Sequence, residues 1–175
     1  MAGRGRSSKP ATLLGGRPLL SYPLAALGSV CERMAVVCKA STALPELDGA
    51  ERWDEPDEPR HPVAGIVHAL ERAGGPVLVY AGDMPFVTPD ACRTLLEAAG
   101  AGPPAIVAVA TGVLQPVFGL YAPAALEPLR AAAPGAPLTE TVEKLDPVRV
   151  ALPPALVRSV NTPEELEEAE VLLAG

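Results

Sequence analysis

The sequence predicts an α/β fold in which a mostly parallel sheet is covered by helices on both faces. Short apolar runs typical of buried strands, such as 77–80 and 105–110, alternate along the chain with segments of helical spacing. Proline often follows a polar capping residue where a helix is expected to begin. The sequence contains no internal repeat and no change of composition that would divide it. We therefore expect a single domain over residues 1–175.

The first half of the chain predicts two helices and two strands. Apolar residues at helical spacing predict a helix from Pro18 to about Glu32, kinked at Pro23. A short apolar strand is expected at 34–38, and a second at 50–54 within a polar, proline-rich connection. The segment 62–73 has apolar residues at i, i+3, i+4 and i+7 and proline at its first position, which predicts an amphipathic helix.

The second half continues the alternation. Thr162 as N-cap, Pro163 at the first position and Glu165 in a capping box predict a last helix. We expect the strand at 114–121 to be an antiparallel addition to the sheet. The other predicted elements are strands at 77–80, 105–110 and 148–151 and helices at 88–99, 124–132 and 138–145.

Charge and composition exclude several functional classes. The chain has 14 Lys and Arg against 21 Asp and Glu, a net charge of −7, so binding to bulk nucleic acid is not expected. No apolar stretch reaches the roughly 20 residues of a membrane span. The basic N-terminus is not followed by the apolar region of a signal peptide. Three cysteines without a Cys-x-x-Cys motif indicate reduced core thiols, and hence a cytoplasmic protein.

Asp83 is the most informative acidic residue, because it directly follows a predicted buried strand. Ligands bind beyond the carboxyl ends of strands in open α/β sheets. Ala81 and Gly82 leave room for a ligand to approach, and Pro85 stiffens the turn. A strand-end aspartate can equally serve a turn or cap a helix, so both roles stay open on this evidence alone.

Two further segments have the composition of an anion site. Asp54 ends the short strand at 50–54, and the helix that begins near His61 has small residues in its first turn, where backbone N–H groups favour an anion. We expect His61 to cap this helix and Trp53 to be a core residue. The Gly-, Ser- and Arg-rich stretch 2–9 could bind phosphates, although an ordinary basic terminus has the same composition.

Five motifs in fixed order resemble a known enzyme family. They are "AGR…K…GGRPLL", "HPVAGI", "AGDMPFVTPD", "QPVFGLY" and "NTPEEL", and they extend over nearly the whole chain. Together they are similar to the nucleotidyltransferases that build dinucleotide forms of the molybdenum cofactor, above all the guanylyltransferases. The resemblance implies a Rossmann-like three-layer nucleotidyltransferase fold. It also implies transfer of GMP from GTP to molybdenum-molybdopterin with release of pyrophosphate and with Mg2+ as cofactor.

The resemblance also implies roles for individual residues. Lys9 matches the lysine that ends the family's glycine-rich triphosphate loop, and Ala2 and Gly3 match the start of that loop. Asp54 matches an acid on the guanosine side, and Asp83 matches the magnesium-binding acid. On the substrate side, Gln115 is expected near the pterin and Asn161 matches an active-site asparagine. The implied catalytic residues are Lys9 and Asp83, and the implied partners are GTP, molybdopterin and other molybdenum cofactor biosynthesis proteins.

The chain departs from the family at its N-terminus. The family has an apolar strand before the glycine-rich loop, whereas this sequence reaches Ala2 and Gly3 without one, and its loop is short. We therefore expect the first strand to be missing from the sheet. Three alternatives remain: a guanylyltransferase, a cytidylyltransferase of the same pathway, and a shortened homologue that binds nucleotide or a partner without turnover.

Overall fold

A computed structural model describes residues 11–100, 102–133 and 135–174, and Lys9, Ala2 and Gly3 lie outside these ranges. The described chain alternates strands and helices as expected. The strands are β1 (Leu13–Leu14), β2 (Arg17–Pro18), β3 (Met34–Lys39), β4 (Ala50–Glu55), β5 (Val77–Tyr80), β6 (Ala105–Ala110), β7 (Val113–Tyr121) and β8 (Val148–Ala151). The helices are α1 (Ser21–Gly28), α2 (Pro62–Ala73), α3 (Pro89–Glu97), α4 (Leu126–Arg130), α5 (Leu138–Glu143) and α6 (Pro163–Ala174).

The largest sheet has four strands in the order β5-β7-β6-β8. β7 pairs antiparallel with both β5 and β6, whereas β8 pairs parallel with β6. Strands β5, β6 and β8 therefore run in one direction and β7 in the other, which confirms that β7 is an antiparallel addition. The apolar side chains on the two faces of this sheet form separate core clusters, one with α3 and one with α2, α4 and α5.

A second sheet is made of β3 and β4, which are parallel and paired over six residues from Met34↔Ala50 to Lys39↔Glu55. Helix α2 connects β4 to β5 and packs against β3, β4 and β5. A strand–helix–strand crossover of this kind joins parallel strands, so β3, β4 and β5 share one direction. Their carboxyl ends therefore lie at one edge of the molecule.

Strands β3 and β5 are not paired with each other, and a cavity of about 880 Å³ separates them. Every residue of both strands lines this cavity. Among the described residues, no strand fills this space. In the part of the chain that the structure describes, the central layer is thus interrupted between β3 and β5.

The first helix is shorter than predicted. Gly15 and Gly16 have positive φ angles and form the turn of the β1–β2 hairpin, so Pro18 belongs to β2 instead of the helix. Pro23 then lies in the first turn of α1, where its missing N–H leaves no intrahelical hydrogen bond unmade. The predicted helix at 124–132 is likewise divided, into a 3₁₀ turn at Pro123–Ala125 and α4. None of the described helices is long and apolar enough to span a bilayer.

Candidate active site

The turn that carries Asp83 is fixed on both sides. Beyond β5, the Ala81 amide donates to the Val117 carbonyl oxygen at 2.9 Å, and the Asp83 carbonyl oxygen accepts from the Val160 amide at 2.8 Å. The next residue, Met84, is almost fully buried at 1% exposure. Asp83 is therefore held at the carboxyl end of β5 by backbone hydrogen bonds to two other parts of the chain.

Tyr80 also stabilises the turn that carries Asp83. Its hydroxyl donates to the Met84 carbonyl oxygen at 2.5 Å, and its ring stacks on Phe118 with the centroids 5.3 Å apart. Burial raises the pKa of Tyr80 well above its ordinary value, with nearby charges such as Asp83 adding to the effect. The hydroxyl therefore stays protonated and continues to donate over the physiological pH range.

Asn161 lies next to this turn, because it directly follows the Val160 amide that binds the Asp83 carbonyl. Its own backbone N–H donates to Glu165 Oε2 at 2.6 Å, and Thr162 exchanges hydrogen bonds with Glu165 at 3.0 and 3.2 Å. This is the predicted capping box of α6, and it confirms that part of the sequence analysis. The structure thus brings Asp83 and Asn161 together at one edge of the sheet.

Gln115 lies at the same edge. It belongs to β7, which runs antiparallel to β5, so the first residues of β7 lie beyond the carboxyl end of β5. The pairing of Ala81 with Val117 places Gln115 two residues further along, in the direction of Asp83. The Gln115 amide group donates to the Val113 carbonyl oxygen at 3.3 Å.

Asp54 lies near the carboxyl end of β4, and its side chain does not line the cavity. It is part of β4, opposite Cys38 of β3, and its carboxylate accepts from Arg52 Nε at 2.7 Å. Arg52 also donates to the carbonyl oxygens of Lys39, Ala40 and Thr42, at 2.8 to 3.0 Å. Asp54 is half exposed, and Arg52 connects it to the loop that follows β3. Its carboxylate therefore lies on the β3–β4 side of the site.

The mouth of the cavity near the carboxyl ends of β3 and β4 is polar. Lys39 and Glu55 form an ion pair at 3.4 Å with side chains only 17% and 14% exposed. Lys39 also donates to the carbonyl oxygens of Pro56 and Pro59 and so fixes the loop that precedes α2. Glu55 Oε2 is buried and has no hydrogen-bond partner among the described residues.

The first turn of α2 completes this mouth. His61 is the N-cap, as predicted, with Nδ1 accepting from the Val63 amide at 3.3 Å. Gly65 faces Glu55, because a Cβ at this position would lie 3.5 Å from Glu55 Oε2, which is an ordinary van der Waals contact. The sequence pointed to His61 and to the small residues of this first turn, but it did not point to Lys39 and Glu55. The feature of the sequence that could have identified Lys39 and Glu55 is that each is a charged residue at the end of a short strand.

The residues that could hold a metal are few. Among the described residues, no group of three or more His, Cys, Asp or Glu side chains is arranged to hold an ion. Mg2+ in phosphate-transferring sites is commonly held by one or two carboxylates, with water and substrate phosphates as the other ligands. A single strand-end carboxylate such as Asp83 therefore fits the chemistry of such an ion.

Comparison with known proteins identifies the family of this chain. The family model described as "MobA-like NTP transferase domain" matches residues 1–148. A protein of Cereibacter sphaeroides named molybdenum cofactor guanylyltransferase is 32% identical over 97% of this chain and 90% of its own length.

Solved structures with the same fold include enzymes of two kinds. Molybdopterin-guanine dinucleotide biosynthesis protein A from Archaeoglobus fulgidus superposes with a TM-score of 0.73 at 24% identity, covering 98% of this chain and 95% of its own. The 2-C-methyl-D-erythritol 4-phosphate cytidylyltransferase from Thermus thermophilus gives 0.74 at 22% identity, covering 95% and 94%. At these identities the likeness shows a shared Rossmann-like nucleotidyltransferase fold.

Proposed function

The chain belongs to the MobA-like NTP transferase family and is a nucleotidyltransferase, and on that premise we propose that it transfers GMP from GTP to molybdenum-molybdopterin. In this reaction an oxygen of the molybdopterin phosphate attacks the α-phosphorus of GTP. The bond from that phosphorus to the β-phosphate oxygen breaks, and pyrophosphate leaves. The similarity to a molybdenum cofactor guanylyltransferase supports this choice of donor and acceptor.

The observation that carries the proposal is the fixed position of Asp83. Its turn is anchored to Val160 at 2.8 Å and, through Tyr80, to the core of the sheet. A carboxylate on a backbone held in this way can position a divalent cation and phosphate groups before reaction. Asn161 and Gln115 lie at the same edge, where they can contact the acceptor.

The chemistry joins two polyanions, so neutralisation of negative charge dominates the barrier. We propose that Asp83 holds Mg2+, which when bound supplies positive charge to the phosphate oxygens. Lys9, Ala2 and Gly3 are proposed to contact the triphosphate, as the family resemblance implies. Asp54 and the first turn of α2 would contact the nucleoside from the β3–β4 side of the cavity.

Three broader statements belong to the same proposal. Residues 1–175 act as one catalytic domain, the protein works in the cytoplasm, and it receives molybdopterin from other proteins of molybdenum cofactor biosynthesis. The net charge of −7 supports a small-molecule substrate over bulk nucleic acid, because acidic side chains outnumber the basic ones that would bind a phosphate backbone.

The proposal is tested by calorimetric titration of GTP and CTP, with and without Mg2+, into the wild-type chain and into Asp83→Asn. Asp90→Asn is the matched control, because Asp90 is an exposed acid on α3 that pairs with Arg93. We expect magnesium-dependent binding of GTP that weakens about 10- to 100-fold in Asp83→Asn and is unchanged in Asp90→Asn.

The other outcomes separate the alternatives. A preference for CTP would assign the chain to cytidylyl transfer. Equal GTP affinity in wild type and Asp83→Asn, at every Mg2+ concentration, would contradict the proposed role of Asp83. If GTP binds but no pyrophosphate is released when molybdopterin is added, the chain is a nucleotide-binding homologue without turnover.

A further inference from the structure

Lys39 connects three parts of the chain at the carboxyl ends of β3 and β4. It is the last residue of β3, and its ammonium group forms an ion pair of 3.4 Å with Glu55, the last residue of β4. The same group donates to the carbonyl oxygens of Pro56 and Pro59, in the loop before α2. A lysine ammonium has three N–H donors, so these three contacts account for all of them.

The loop from 56 to 60 lies on the surface. Each of its residues is exposed. Its ion pair between Arg60 and Glu58 is 3.4 Å long, with side chains 74% and 76% exposed. Exposed ion pairs contribute little to stability, and segments with few buried contacts open easily. We therefore expect the position of this loop to depend largely on Lys39.

The loop leads directly into the first turn of α2. His61 caps this turn, with Nδ1 accepting from the Val63 amide at 3.3 Å and its carbonyl oxygen accepting from the Ala64 amide at 2.9 Å. Arg60 and His61 both line the cavity. A shift of the loop would move His61 and would disturb both hydrogen bonds of the turn.

Glu55 is placed to hold Lys39 and not to contact a ligand. Its Oε2 is buried against α2, where a Cβ on Gly65 would lie 3.5 Å away, and has no hydrogen-bond partner among the described residues. The side chains of Lys39 and Glu55 are only 17% and 14% exposed. The cost of removing two such charges from water offsets their attraction, so the pair should add little to the stability of the fold.

We propose that the Lys39–Glu55 ion pair positions the first turn of α2 for binding the nucleoside part of the nucleotide. This inference rests on the proposed function, in which that turn contacts the nucleoside. Lys39 is a positioning residue, because it acts through the loop and His61. Replacing the pair by two apolar side chains should therefore leave the fold intact but weaken nucleotide binding.

The test replaces both charged side chains, in Lys39→Met/Glu55→Met, so that no unpaired charge remains in the buried site. The matched control is Arg130→Met/Glu71→Met. Its ion pair of 2.6 Å also involves α2, but neither residue lines the cavity. The urea concentration at the midpoint of unfolding and the affinity for GTP with Mg2+ are measured for both variants.

Amide hydrogen exchange measures the order of the first turn of α2 without any nucleotide. The amides of Val63 and Ala64 report on this turn, because both donate to His61. The Gly74 amide is the internal reference, since it donates to the Leu70 carbonyl oxygen at 3.1 Å at the other end of the same helix.

We expect Lys39→Met/Glu55→Met to keep the wild-type midpoint within about 0.5 M urea. Exchange of the Val63 and Ala64 amides should become faster by about tenfold or more, while that of Gly74 does not change. The affinity for GTP should fall about tenfold, because the turn must then be ordered on binding. The control should change neither the exchange of the first turn nor the affinity for GTP.

Three results would contradict a prediction. Unchanged exchange at Val63 and Ala64, or unchanged GTP affinity, in the folded double variant would overturn the positioning role. A lower midpoint together with faster exchange at Gly74 would also overturn it, since the pair would then stabilise the whole fold. Absence of GTP binding by the wild-type chain would instead contradict the proposed function, and the exchange rates would still show whether the pair holds the turn.

Two single variants cover the case in which the double variant does not fold. Lys39→Gln has two N–H donors on a shorter side chain, so it should loosen the first turn and weaken GTP binding as the double variant does. Glu55→Gln keeps an oxygen that accepts from Lys39, so exchange and GTP affinity should stay within about threefold of wild type. A larger loss of affinity in Glu55→Gln, with unchanged exchange at Val63 and Ala64, would show direct contact with the nucleotide and would contradict the positioning role.

Discussion

At the scale of single residues, Tyr80 decides how firmly Asp83 is positioned. Tyr80→Phe keeps the ring stacked on Phe118 but removes the hydroxyl that donates to the Met84 carbonyl oxygen at 2.5 Å. The buried carbonyl is left without this partner, which costs about 1–3 kcal/mol of the free energy of unfolding. We also expect the Mg2+ concentration that half-saturates GTP binding to rise, by about tenfold at most.

Tyr121→Phe is the control for that variant. Tyr121 is fully buried, and its hydroxyl donates to the Pro116 carbonyl oxygen at 2.6 Å. Its removal should destabilise the fold to a similar extent but leave the Mg2+ dependence of GTP binding unchanged. Equal Mg2+ dependence in both variants would show that Tyr80 has only a structural role.

The buried thiol of Cys92 should make the stability of the protein depend on pH in alkaline solution. Its side chain is fully buried, and burial, followed by the neighbouring Cys31, raises the pKa of the thiol from 9.0 to about 11. Above pH 9 the unfolded chain loses this proton before the folded chain does, so the folded state binds more protons and its stability falls as pH rises. The loss continues until the folded thiol ionises near pH 11.

Cys92→Ala should reduce that slope but not abolish it, because burial also raises the pKa of Cys31 and of Cys38. At neutral pH the substitution lowers the free energy of unfolding by about 1 kcal/mol, because a small buried volume is lost. Between pH 9 and 11 the wild type should then lose up to about 2 kcal/mol more than the variant. Urea unfolding at several pH values measures this difference, and parallel profiles for the two proteins would contradict it.

At the scale of elements, the contact between β6 and β7 depends on Gly119. A Cβ at this position would lie 2.9 Å from the Ile106 carbonyl oxygen and 3.1 Å from Val107. Because the nearest atom belongs to the backbone of a central strand, it cannot move aside easily. We expect Gly119→Ala to lower the free energy of unfolding by about 1–3 kcal/mol, as overpacked cores do.

Gly75→Ala is the matched control for Gly119→Ala. A Cβ on Gly75 would meet nothing within 4 Å, and no positive φ angle is required there. Its effect on unfolding by urea should be within about 0.5 kcal/mol. Similar losses in both variants would mean that the close approach between β6 and β7 is not what requires glycine.

The elements that the sequence predicted well are those with local signals. Helices α2, α3 and α6 begin at the expected proline, because each has a side-chain cap on the preceding residue: His61, Thr88 and Thr162. Strands β5, β6 and β8 have the predicted limits because each is a short apolar run between turns. Helix α1 was predicted too long, because the Gly15–Gly16 turn that folds Pro18 into β2 cannot be seen in helical spacing.

The site could be predicted only in part, because the contacts that assemble it join residues far apart in the sequence. Asp83 and Asn161 were selected from local motifs, yet the hydrogen bond from the Val160 amide that brings them together joins residues 77 positions apart. The pairing of Lys39 with Glu55 depends on the register of β3 and β4, which the sequence does not specify. The assignments of Lys9, Ala2 and Gly3 remain predictions, since they lie outside the described residues.

At the scale of the whole molecule, the cavity separates two parts of the described sheet structure that differ in burial. The β3–β4 sheet is connected to the β5–β8 sheet through α1 and α2, and not through hydrogen bonds between β3 and β5. Most residues of β4 are exposed or partly exposed, whereas β6 and β7 hold much of the buried core. Regions with fewer buried contacts open at lower free energy than the core does.

Native-state hydrogen exchange in low concentrations of denaturant should therefore resolve two groups of amides. We expect those of Val36, Val37 and Trp53 to exchange through a partial opening whose free energy is lower than that of global unfolding. The amides of Val107 and Phe118 should exchange only through global unfolding, because both residues are fully buried in the four-stranded sheet. One common opening free energy for all five amides would show that the helices alone couple the two sheets into a single cooperative unit, despite the cavity between them.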